Sequence, residues 1–175
     1  LRASKRPVCW LGHGIRLAGA HRMIEPLLKT FPIPSLVSWA GLDMLPEDHA
    51  LNFGQAGVYG MRAGNFVIQN SDLVITIGNR MAIPMIGYDH SEFARGAKVV
   101  QVDIDPTEFE KVDDITHLPI ISDAKEFMKD LLNRFKSSSF DADQIDDWVR
   151  TCVGYKKKYP RVGPEHKDSE GFMNS

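Results

Sequence analysis

No apolar run in this 175-residue chain approaches the ~20 residues that a membrane-spanning helix needs. The opening residues, Leu1-Arg2-Ala3-Ser4-Lys5-Arg6-Pro7, lack the apolar stretch of a secretory signal. Cysteine is scarce: Cys9 and Cys152 stand far apart, with no Cys-x-x-Cys spacing. That excludes a disulfide framework and points to a reducing, cytoplasmic setting. A basic excess is missing too, since the formal net charge is -2, which excludes a general nucleic-acid binder. His13, His49, His90 and His117 show no metal-ligand spacing with cysteine or carboxylates, and no Ser/His/Asp arrangement can be singled out. No residue set is therefore assigned to bond-making chemistry or to a metal. Internal repeats are absent. Leu1 is not a start residue, so the chain is expected to be part of a longer protein.

What is present is ordinary globular composition, 43% hydrophobic and 25% charged. The organising stretch is Leu73–Ile77, short, β-branched and stopped by Gly78. Such a run reads as a strand buried on both faces, as in a parallel sheet. Five further strands are expected at residues 8–11, 35–38, 51–53, 98–102 and 118–121. Helical spacing of apolar residues occurs between Ala20 and Phe31, where Pro26 kinks the helix or marks its start. Further helices are expected at about 62–70 and 143–159, with a helical turn at 91–95. The clearest helix follows Asp123, which can cap it, with Glu126 completing a capping-box pattern. Residues 136–139 read as a linker, and the chain from Pro160 onward as a polar tail. Strands alternating with helices indicate an α/β fold. We expect a doubly wound parallel sheet of about six strands, Rossmann-like, in spatial order 3-2-1-4-5-6. That order makes the first strand and Leu73–Ile77 neighbours, with a ligand crevice at their carboxyl ends.

Gly12-His13-Gly14 leaves the first strand. Two readings stand: glycines that let backbone approach a phosphate, or a tight turn. The full dinucleotide fingerprint fails, because its third glycine is Leu17. Asp103 and Asp105 end a strand, where an acidic side chain either accepts ribose hydroxyls or caps a turn before Pro106. Arg80 suits a phosphate, a base face or a surface ion pair.

Taken together, Gly41-Leu42, Pro46-Glu47-Asp48-His49, Gly54, Gly57, Gly60, Asp72-Leu73 with Gly78 and Arg80, and above all Lys98-Val99-Val100-Gln101-Val102-Asp103-Ile104-Asp105-Pro106, resemble a known family. They are similar to the central domain of thiamine-diphosphate-dependent enzymes of the acetolactate synthase type, over about residues 6–132. The resemblance implies a central domain at 1–136, with 137–175 as linker, helix and tail leading to a carboxyl-terminal domain absent here. It implies a parent that decarboxylates a 2-oxo acid and joins the product to an acceptor, in branched-chain amino acid biosynthesis. Thiamine diphosphate and Mg2+ would be bound by other domains of the same polypeptide, in a homo-oligomer, so this chain alone is expected to be inactive.

In this family the central domain can hold FAD, which does no redox work in the reaction. By position, the resemblance assigns Gly12, His13 and Gly14 to the phosphates. It adds Ser38, Trp39 and Ala40, then the loop Gly57, Val58, Tyr59 and Gly60. Gly78, Asn79 and Arg80 follow the central strand, and Asp103, Ile104 and Asp123 lie toward the adenosine. Met81-Ala82-Ile83-Pro84 stand where flavin members commonly carry Phe-Asp-Asp-Arg, His13 replaces a common Gly, and Tyr59 a common His. Wider relatives bind ADP here, or nothing. Two alternatives remain: a scaffold domain of a related decarboxylase without flavin, and a stand-alone nucleotide-binding module. A sirtuin-like deacylase would need four zinc cysteines, and two are present.

Overall fold

The computed structural model describes residues 3–135 and 140–162. The expected linker at 136–139 and the tail beyond residue 162 lie outside the described residues. Five parallel strands form the sheet: β1 (Pro7–Leu11), β2 (Ser35–Val37), β3 (Leu73–Ile77), β4 (Lys98–Asp103) and β5 (Leu118–Ile121). Their order is β2-β1-β3-β4-β5, so β3 is central. Leu11 lies opposite Ile77 in the register, which makes the two glycine-ended strands neighbours. Every residue of β1 and β3 is buried, as both-face apolar runs require.

One expected strand is corrected. Residues 51–53 lie beside β2, where the outermost strand was expected, and bond to it (Ser35 N–H to Leu51, Phe53 N–H to Ser35, Val37 N–H to Gly54), but the pairing amounts to the single bridge of Asn52 to Ser35 and not a strand. The Asn52 side chain is the reason. Its amide donates to the carbonyls of Leu45 (3.0 Å) and Pro46 (2.9 Å), and its oxygen accepts from Gly54 N–H (2.9 Å). These local bonds compete with a ladder. Gly54, at φ +83, then turns the chain away. Among the described residues the sheet therefore has five strands, where about six were expected.

Helices cover both faces. α1 (Gly14–Leu17), α2 (Ile24–Thr30) and α6 (Ala124–Phe135) cover one, burying Cys9, Leu11, Ile75 and Ile77 against Leu27 and Met128. α3 (Arg62–Gln69) and α7 (Asp146–Lys158) cover the other, over Val8, Trp10, Val74 and Val99. Short helices α4 (Ile83–Ile86) and α5 (Thr107–Glu110) sit in the connections after β3 and β4. The stretch from Ala20 divides into a 3-10 turn at His21–Met23 and α2, with Pro26 in the first turn of α2, where its missing N–H costs nothing. The turn expected at 91–95 is a 3-10 turn at His90–Glu92. α6 is capped by Asp123, whose Oδ1 accepts from the N–H groups of Lys125 (2.9 Å) and Glu126 (3.2 Å). Glu126 itself turns to Lys129 (2.7 Å).

α7 is tied firmly into the fold. Trp148 Nε1 donates to the Pro7 carbonyl (3.1 Å), and Phe66 of α3 stacks on Tyr155 and Tyr159. Lys156 donates to the carbonyls of Glu47 (2.7 Å) and Asn52 (2.9 Å). Both cysteines are buried, and burial pushes the Cys9 thiol up to about 12 and raises that of Cys152.

At the carboxyl ends of β1 and β3 the backbones touch. A Cβ on Gly12 would stand 2.0 Å from the Gly78 oxygen, and one on Gly14 would stand 2.7 Å from Gly78 Cα. Gly14 N–H donates to the Gly78 carbonyl (2.9 Å), and Gly78 itself has φ +59. Gly12→Ala should therefore destabilise the protein by about 1–3 kcal/mol or more through forced separation of the two loops. Gly154, inside α7 with open space around it, is the contrast. Gly154→Ala should stabilise by about 0.5–1 kcal/mol. Urea unfolding midpoints of the two variants measure both, and a shift of the same sign in each would contradict this account.

A second prediction concerns acid. Burial alone would raise the Asp72 carboxyl, but the Ser4 hydroxyl and the Lys5 (2.8 Å) and Arg6 (3.0 Å) N–H groups outweigh it and hold it below its ordinary value. A depressed folded-state value gives stability that is present above the unfolded carboxylate range and lost as pH falls through the folded one. Asp72→Asn should flatten that acid-side loss in thermal melts taken between neutral and strongly acidic pH. An unchanged acid slope would contradict it.

Candidate functional site

A cleft of about 780 Å3 opens at the carboxyl ends of the strands, where the loops after all five converge. This is the switch point at which open α/β sheets take ligands, since the connections after β1 and β3 leave toward opposite faces. One wall is His13, Gly14, Leu17 and Ala18, with Ser38, Trp39 and Ala40 after β2. His13 Nδ1 donates to the Ala40 carbonyl (2.8 Å), locking these two loops together. The other wall is Gly78, Asn79 and Arg80, continuing through Ala82, Pro84 and Met85. Asp103, Ile104, Asp105 and Glu108 close one end, with Ser122, Asp123 and Ala124 after β5.

Two polar side chains at the cleft are buried without a partner among the described residues. They are Ser38, 6% exposed, through Oγ, and Asn79, 3% exposed, through Nδ2. A buried group left unsatisfied costs about 1–3 kcal/mol. They stand one on each wall, in residues that line the cleft.

The carboxylates are engaged locally. Asp105 Oδ1 accepts from Thr107 N–H (2.9 Å) and Oγ1 (2.8 Å) at the start of α5, and the Thr107 N–H foremost holds its carboxyl below the ordinary range. Asp103 Oδ1 accepts from Asp105 N–H (3.1 Å). The turn-capping reading of Asp105 and the capping role of Asp123 are thus met by backbone bonds, while both side chains still border the cleft. Arg80 is in the ion pair that was one of its readings: Nε and Nη2 each reach Glu108 Oε1 at 3.0 Å.

Eleven of the expected contacts therefore line one cavity: His13, Gly14, Ser38, Trp39, Ala40, Gly78, Asn79, Arg80, Asp103, Ile104 and Asp123. Gly12 lies below the lining, pressed against Gly78. Gly57, Val58, Tyr59 and Gly60 stand beside the rim. There Val58 N–H donates to the Pro84 carbonyl (2.9 Å), and the Tyr59 ring lies 5.5 Å from that of Trp39. The sequence reading missed Leu17, Pro84, Met85, Glu108 and Ser122. Glu108 had a signal: Asp105-Pro106-Thr107-Glu108 has the spacing of a helix start directly after a strand. The others had none: Leu17 ends α1, Pro84 and Met85 lie in α4, and Ser122 is a loop residue after β5. Among the described residues no three His, Cys, Asp or Glu side chains group as metal ligands, and no helix is long and apolar enough to cross a membrane. The arrangement is suited to binding: donors, acceptors and apolar wall surround a cavity with no nucleophile paired to a base.

Comparison with known proteins agrees with this architecture. Residues 1–131 match the family model described as thiamine pyrophosphate enzyme, central domain. The acetolactate synthase large subunit of Corynebacterium glutamicum is 34% identical over 158 residues, covering 90% of this chain and 25% of that protein. That of Cyanidium caldarium is 35% identical over 162 residues, covering 91% and 27%. The probable acetolactate synthase large subunit of Methanococcus aeolicus is 30% identical over 164 residues, covering 90% and 27%. The chain spans about a quarter of the length of these curated relatives. With its parallel sheet, its crevice and the family match over residues 1–131, the chain belongs to the thiamine pyrophosphate enzymes, as their central domain.

Proposed function

We propose that the cleft binds an adenine nucleotide, FAD first, within an acetolactate-synthase-type enzyme. The observation that carries this reading is the cleft of about 780 Å3 at the carboxyl ends of the strands, with Arg80 on one wall, Asp103 and Asp123 at one end, and Ser38 and Asn79 in its lining. Asp103 and Asp123 would meet ribose hydroxyls, Arg80 the phosphates, and the wall of Leu17, Trp39, Pro84 and Met85 a flat ring. FAD would fill the site as a structural ligand, without redox work.

Decarboxylation of a 2-oxo acid and its joining to an acceptor would belong to the whole protein, with thiamine diphosphate and Mg2+ held by other domains. Residues 1–136 would be the nucleotide-binding unit, and 137–175, including α7, would lead onward. Support comes from the exposed apolar rim of Leu17, Tyr59, Ile83 and Ile104 around the cleft mouth, the kind of surface that a neighbouring domain covers. A homo-oligomer working in cytoplasmic branched-chain amino acid synthesis fits the same relatives.

A second reading has its own observation. Met81-Ala82-Ile83-Pro84 gives the wall after Arg80 no charged side chain, which favours a smaller ligand such as ADP. The test is direct. The chain is incubated with FAD or ADP, passed over a desalting column, and the retained nucleotide is measured by absorbance and release. Retention near one FAD per chain is expected, with Ser38→Ala and Asn79→Ala each weakening it about two- to tenfold. Retention of ADP alone would favour the second reading. Retention of neither would leave the domain a scaffold.

A further inference from the structure

Building on the nucleotide reading, we infer that Glu108 is a positioning residue that holds Arg80 ready for the phosphate portion of the ligand. The Arg80 side chain is 74% exposed, yet Nε and Nη2 both reach one oxygen of Glu108, whose side chain is only 7% exposed. A buried carboxylate thus fixes an exposed guanidinium at the cleft. Lys111 Nζ takes the same oxygen at 2.7 Å. Two cations therefore share one carboxylate, and the trio keeps net positive charge. The neighbouring acids are engaged by the backbone, Asp105 with Thr107 and Asp103 with the Asp105 N–H, and Asp105 adds an attraction on Arg80 that is weaker than its own bonds to Thr107. Nη1 of Arg80 takes no partner among the described residues and is left to donate to a ligand oxygen. An unanchored Arg would lose rotamer freedom on capturing that oxygen, whereas one held by Glu108 has already lost it.

This role differs in sign from a plain charge effect. If Glu108 acted only as a negative charge near the site, removing it would tighten binding of an anion. If it positions Arg80, removing it weakens binding. Calorimetric titration of the chain with ADP and with adenosine separates the two. Glu108→Gln should weaken ADP binding roughly three- to tenfold while adenosine binding stays within about twofold. Arg80→Gln, which leaves Glu108 still paired with Lys111, should do the same. The double variant should lose no more than either single one, because the two residues act as one unit. Unchanged or tighter ADP binding in either variant would overturn the inference, as would equal loss for adenosine or losses that multiply. Binding of neither ADP nor FAD by the unaltered chain would instead sink the nucleotide reading on which it rests.

Discussion

Two loops can meet over the floor of this cleft only because three residues have no side chain. Gly12 and Gly14 follow β1, Gly78 follows β3, and any Cβ there would enter the opposing backbone. The contact is directional as well as close. Gly12 N–H donates to Ile77, Gly14 N–H to Gly78, and Gly78 N–H to Val102 of β4, all at 2.9 Å. Three strand ends are thereby stitched in one line. The cavity begins immediately above, at His13 and Asn79. Gly14's amide is already taken by Gly78, so that amide is not free to cradle an anion.

This explains what the glycines contribute and why the chain alone did not reveal it. A Gly-x-Gly after a strand reads as phosphate approach or tight turn, because both are local causes. The actual cause is a segment far away in sequence. The strands themselves were legible, since both-face burial demands unbroken apolar runs such as Leu73–Ile77, and a run needs no partner to be read. The α6 cap was legible for the same reason, being local to Asp123 and Glu126. The segment at 51–53 was misjudged because Asn52 turns its side chain to Leu45 and Pro46, a choice visible only once those carbonyls are placed. The site divided along the same line. Most residues directly after strands were found by position, Ser122 after β5 excepted, while Glu108, Pro84 and Met85 reach the cavity through α5 and α4.

The cleft carries several carboxylates, which at first sight suits an anionic nucleotide poorly. Most of that charge is already committed. Asp105 caps α5, Asp123 caps α6, and Glu108 is matched by Arg80 and Lys111. A carboxylate that accepts N–H bonds with one oxygen keeps lone pairs on the other. The same group can close a helix and still receive a hydroxyl. On the proposed reading, the acid end would take neutral donors such as ribose hydroxyls, and the Arg80 side phosphate oxygens. One polar molecule laid across both ends would meet each with the appropriate chemistry.

Two buried polar residues in the lining, Ser38 and Asn79, carry neutral hydrogen-bonding side chains. Neutral buried groups recognise shape and hydrogen-bond pattern without changing charge. The frame beneath is correspondingly stiff, with fully buried β1 and β3 and glycine backbones in contact. On the proposed reading, a ligand that binds only the folded domain would add to its stability by mass action. The nucleotide would then be part of the domain's structure, and the apolar rim above it a surface completed by whatever lies next in the whole enzyme.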